Sequence, residues 1–158
     1  MGAMQMKTEP VVYMTHRDEV QIVWDPSKGV SPSNTRLTAA DLGDAKRQSS
    51  SIPIEDREAS PLLLEIEVLI DTTAREARRA LARLEDAGQI PPTDLHACDR
   101  RRRPMRYIGT VQGLSGLMQD ICAVGIADGV VLIPLAPNPT EELIADEFAE
   151  LIVSEVAP

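Results

Sequence analysis

The densest chemistry in the chain lies between His96 and Thr110. Arg100, Arg101, Arg102, Arg103 and Arg106 place five of the sixteen basic residues within seven positions. Guanidinium forks match the geometry of carboxylates and phosphates, so this cluster in an acidic protein is a candidate anion site. An exposed basic loop that pairs with acidic helices accounts for the same run and is the plainer reading. His96-Ala97-Cys98 offers two metal-ligating side chains, but His16 and Cys122 lie far off in sequence and no CxxC spacing occurs, so no metal centre is legible. Gly109-Thr110 leads into a candidate helix that contains Gly113 and Gly116. Glycine costs a helix stability and marks either close packing or the approach of a phosphate, with packing the simpler reading. The chain shows no nucleophile–base pair, no paired loop carboxylates and no complete phosphate-binding glycine loop.

These residues need elements to hold them. Pro10–Met14 and Val20–Trp24 are β-favouring runs separated by Thr15–Glu19. From Asp25 to Pro61 serine, proline and glycine punctuate the chain, and the expectation is a long loop or lid in which only Thr38–Arg47 resembles a helix. Within Pro61–Ile70, Leu64, Ile66, Val68 and Ile70 share one face of a strand while Glu65 and Glu67 interrupt the other. Thr73 with Glu76 forms a capping-box pattern, Ala74, Ala77, Leu81 and Leu84 make an apolar stripe, and Ala87-Gly88 supplies a stop. Arg75, Arg78, Arg79 and Arg83 fall on the outer side, where a charge run is by default a solvated face. Met105–Gly109 leads to an N-cap at Thr110 and a helix over 111–124 with Leu114, Leu117, Met118, Ile121 and Cys122 on one side.

The last unit carries the strongest signals. Val130-Val131-Leu132-Ile133, opened by Asp128-Gly129 and closed by Pro134, reads as a strand buried on both faces. Asn138 is the expected N-cap, Pro139 or Thr140 the helix start, and Leu143, Ile144, Phe148, Leu151, Ile152 and Val156 the apolar face. Strand and helix alternate, which predicts an α/β fold made of strand–helix units on a mainly parallel sheet.

The bulk properties narrow the function. At 158 residues the chain fits one domain, expected over 6–158 with residues 1–5 an added leader. It is shorter than the about 250 residues of a complete eight-unit β/α barrel. A net charge of −9 disfavours general binding to a nucleic-acid backbone. Aromatic residues are 3% of the chain, too few for base- or sugar-stacking platforms. No apolar run is long enough to span a membrane and no signal peptide is legible, so a soluble, cytoplasmic protein is expected.

On Leu62–Arg83, on Gly109-Thr110 opening a helix, and on Gly125–Pro134 with its closing helix, the second half resembles the C-terminal portion of the bacterial luciferase-like, FMN-dependent monooxygenases, in particular the subgroup that includes nitrilotriacetate monooxygenase. The resemblance implies the final units of a barrel, hence an incomplete β/α barrel-like set of strand–helix units. It also implies FMN as cofactor, with Gly109, Thr110 and Pro134 at the positions nearest to ligand. The first barrel strands have no counterpart ahead of Met6, so the expected protein is a monooxygenase-related unit that needs a partner subunit or a second copy to complete its site, and no catalytic residue is assigned. A non-catalytic oligomerisation or regulatory module built on the same units is the alternative.

Overall fold

A computed structural model describes residues 11–16, 19–24, 35–59, 61–90, 104–136 and 138–146. The chain is an α/β protein built on one open, mostly parallel sheet. Its elements are β1 (Val11–His16), β2 (Glu19–Trp24), β3 (Thr35–Leu37), α1 (Leu42–Ser50), α2 (Ile54–Ala59), β4 (Leu62–Ile70), α3 (Ala74–Asp86), β5 (Met105–Gly109), α4 (Val111–Ala123) and β6 (Gly129–Pro134). A closing helix follows over 140–146.

β4 organises the sheet. It pairs in parallel with β6 along one edge, through Leu63↔Gly129 to Val68↔Pro134. Its other edge is shared end to end by β3, which pairs with residues 62–64, and β5, which pairs with residues 66–70. β6 in turn pairs in parallel with β1, and β2 turns back antiparallel on β1 as the outer strand. The order is therefore β2-β1-β6-β4, with β3 and β5 beyond β4. β4 is hydrophobic enough for this central place: seven of its nine residues are buried, and only Glu65 and Glu67 are partly exposed.

Topology assigns the helices to faces. A parallel crossover is right-handed, so a connection that moves outward from β4 to β5 and one that moves back across β4 to β6 must lie on opposite sides of the sheet. On the first face, Leu64, Ile66, Val68 and Ile70 join Val130 and Leu132 of β6 and Val12 and Met14 of β1. Onto them pack Val111, Leu114, Met118 and Ile121 of α4, Ala45 of α1 and Ile144 of the closing helix. No residue of α3 enters that core; its buried Ala77 belongs with Leu69 to the second face. At about 1.5–3 kcal/mol for each large aliphatic side chain buried, the first face is the main source of stability.

The segment expected as a long loop is a correction. From Thr35 onward it forms β3, α1 and α2, and α1 is the predicted helix moved to Leu42–Ser50, capped by Asp41, whose Oδ1 accepts from Asp44 N at 2.7 Å. Serine and proline there punctuate short elements instead of marking a lid; residues 25–34 and Ser60 lie outside the described residues. The closing helix begins at Thr140, one of the two expected starts, but its cap is Pro139 and not Asn138. Leu143 N donates to Pro139 O at 2.9 Å, which puts Pro139 in the capping position and Thr140 first in the helix. Phe148, Leu151, Ile152 and Val156 lie outside the described residues. Among the described residues no helix is long and apolar enough to cross a membrane.

Candidate functional site at the carboxyl end of the sheet

In an open parallel sheet, ligands lie beyond the carboxyl ends of adjacent strands whose outgoing connections run to opposite faces. β4 meets that condition on both sides. Its own exit leads to α3 on the second face, while β5 and β6 lead to α4 and the closing helix on the first. The turn Asp71-Thr72-Thr73 after β4 therefore sits between Gly109-Thr110 after β5 and Pro134-Leu135-Ala136 after β6. All three positions that the resemblance singles out, Gly109, Thr110 and Pro134, fall on this rim.

Backbone bonds hold the rim together. Asp71 N donates to Gly109 O at 3.0 Å and Leu135 N to Val68 O at 2.9 Å. Thr140, fully buried, accepts from Ile70 N at 3.0 Å and donates to Ile70 O at 3.3 Å with the same hydroxyl. One side chain thus ties the closing helix to the last residue of the central strand. Asp71 is half-buried, and its Oδ1 accepts from Thr72 N at 2.7 Å. Each helix start uses a threonine: Thr73 Oγ1 accepts from Glu76 N at 3.1 Å, and Thr110 Oγ1 from Gly113 N at 3.3 Å. In the first of these the expected capping box supplies the Thr73 bond, and the Glu76 carboxylate lies 3.3 Å from Arg79 Nη1.

Tyr107 decides what the glycines are for. A Cβ on Gly109 would sit 2.8 Å from the Tyr107 hydroxyl, and one on Gly113 would overlap that oxygen and lie 3.1 Å from the ring carbon that bears it. Close packing therefore explains Gly109 and Gly113, because the phenol occupies the space a phosphate would need. Gly116 has nothing within 4 Å and packs against nothing.

The opposite pole of the sheet is closed by structural contacts. Asp128 N donates to Leu62 O at 2.8 Å and Asp128 Oδ2 accepts from Leu62 N at 2.8 Å, so the Asp128-Gly129 pair anchors the start of β4. Lys46 Nζ donates to Val124 O at 2.8 Å and Arg57 Nη1 to Gly125 O at 3.1 Å, placing cations at the carbonyl end of α4. Arg57 also lies 3.8 Å from Asp128. Gly125, at φ +75°, turns the chain there. Burial, and then the Asp128 carboxylate, push the Cys122 thiol from 9.0 up to about 11, so it is protonated and unreactive at neutral pH.

The arginine cluster divides. Arg100, Arg101, Arg102 and Arg103 lie outside the described residues, as do His96 and Cys98. Arg106 sits in β5, with Nε 3.4 Å from Glu67 Oε1 and only 13% of its side chain exposed. Its charge is answered inside the fold instead of being offered to a ligand from a loop. Glu65 is held in the same way, accepting from Thr38 Oγ1 at 2.6 Å and lying 4.0 Å from Arg36. Among the described residues no cluster of His, Cys, Asp or Glu could hold a metal ion.

Sequence reading missed Asp71, Tyr107, Thr140 and the structural use of Asp128. Asp71 had a local signal, a polar turn immediately after a strand. Thr140 had none, since its partner is 70 positions away. No protein-family model matches the chain, and no curated protein matches it either.

Proposed function

We propose that this chain is a luciferase-like, FMN-dependent monooxygenase-related unit that receives flavin beyond the carboxyl end of β4, in a crevice completed by a partner subunit or a second copy. The observation that carries the reading is the double switch at β4, which leaves the turns 71–73, 109–110 and 134–136 facing one space. The rim suits the ring and ribityl portions of a flavin, since it offers threonine hydroxyls, backbone amides and the Asp71 carboxylate as donors and acceptors. It does not suit a phosphate at α4, where Tyr107 fills the glycine cradle and Asp71 adds negative charge. The phosphate then extends toward the completing chain. Bound flavin would supply the redox chemistry; the chain's own Thr73, Thr110 and Asp71 orient it. A cytoplasmic setting accords with a protonated, unpaired Cys122.

Titration of FMN and of riboflavin, followed by quenching of flavin fluorescence, tests this. Riboflavin is expected to bind about as well as FMN, and Asp71→Ala to weaken both. An unchanged flavin signal at about 100 μM protein, a concentration that reports any Kd of that order or tighter, rejects the reading.

One observation favours a second reading, a non-catalytic oligomerisation or regulatory module. Thr140, the buried hydroxyl at the rim, is bonded to Ile70 within the fold, and Tyr107 packs over Gly109 and Gly113. Stoichiometric binding of flavin by the purified protein decides against it.

A further inference from the structure

The helices on the two faces of the sheet differ in charge: α3 carries four arginines beside Glu76, Glu85 and Asp86, whereas α2 and the closing helix are predominantly acidic. On the second face α3 exposes Arg75, Arg78, Arg79 and Arg83. At 100° per residue these four fall within about 140° of the helix circumference, opposite the buried Ala77, and the exposed Asp86 joins the same arc in the last turn. Arg79 reaches Glu76 at 3.3 Å, and Arg75, Arg78 and Arg83 make no ion pair among the described residues. Their spacing sets like charges over one another, Arg75 above Arg79 and Arg79 above Arg83, an arrangement that an anionic surface relieves.

The first face is acidic. α2 exposes Glu55, Asp56 and Glu58, and the closing helix exposes Glu142 and Asp146. The cations on that side are engaged: Lys46 and Arg57 cap the end of α4, and Arg47 lies 3.7 Å from Asp44. The sheet stands between the two helical layers, so the arginines of α3 cannot reach the acids of α2 in the same chain.

We propose that the arginine face of α3 docks the acidic face of α2 of a second copy. Two different surfaces meet in such a contact, so it is heterologous and can propagate head to tail. A net charge of −9 sets the molecule against a nucleic-acid backbone, whereas every copy brings the matching acidic face with it. The inference does not depend on the flavin reading.

Sedimentation velocity over a range of protein concentrations tests it, at low ionic strength and at about 1 M salt, where the screening length falls to roughly 3 Å. The wild type is expected to associate with rising concentration at low salt and to run as a monomer at high salt. Arg75→Glu/Arg78→Glu/Arg83→Glu and Glu55→Lys/Asp56→Lys/Glu58→Lys are each expected to be monomeric alone and to form a complex when mixed. All these positions are exposed, and circular dichroism checks that both variants fold. A wild type monomeric throughout, association indifferent to salt or to either reversal, or retention of heparin by the arginines without self-association overturns the proposal.

Discussion

Gly113 and Gly116 lie in the same helix, three positions apart, and look alike in sequence, yet their surroundings give them opposite roles. A methyl on Gly113 meets the Tyr107 hydroxyl, whereas one on Gly116 meets open space. Gly113→Ala is therefore expected to destabilise by about 1–3 kcal/mol, the usual cost of overpacking, and Tyr107→Phe to recover part of that loss. Gly116→Ala is expected to stabilise by about 0.5–1 kcal/mol through helix propensity alone. Urea denaturation of the variants separates them; equal effects at the two glycines would contradict the packing account. Cys122 gives a pH dependence of known sign. A thiol held at about 11 when folded contributes stability that is complete below its ordinary value of 9.0 and is lost as pH rises through 11. Stability against urea is expected to fall across that window by more in the wild type than in Cys122→Ala, and trapping of the folded thiol to be slow at pH 8.

At the scale of elements, the carboxyl end of β4 is joined to the closing helix by a single buried hydroxyl. Thr140→Val keeps the shape but leaves Ile70 N and O without that partner, and a loss of about 1–3 kcal/mol is expected. Thr140→Ser retains the oxygen and should recover most of it. Amide exchange at Ile70 is the direct measurement: faster exchange in the valine variant and near-native protection in the serine variant are expected, and unchanged exchange in both would show that the latch carries no weight. β4 itself was legible in advance, because Leu64, Ile66, Val68 and Ile70 alternate with polar or opposite-facing residues. So were α3 and α4, each marked by a threonine cap and an apolar stripe. In the region from Thr35 to Ala59 only α1 was foreshadowed, by the helix-like run Thr38–Arg47; β3 and α2 were not, since they are short and the serines and prolines there produce the same pattern as a loop.

For the whole molecule, sequence by itself determined the α/β class and the location of the main strands and helices, because those depend on periodicity and caps within a few residues of one another. It also placed Gly109, Thr110 and Pro134 at element boundaries. Only the tertiary structure decided that β6 lies against β4, that β3 and β5 share the far edge, and that the helices divide between two faces. It likewise decided that Arg106 answers Glu67, that Tyr107 fills the glycine cradle, and that Thr140 closes on Ile70. Each of these joins residues that are distant in sequence or belong to different elements. Such contacts follow from strand order and face, and local patterns carry no record of either.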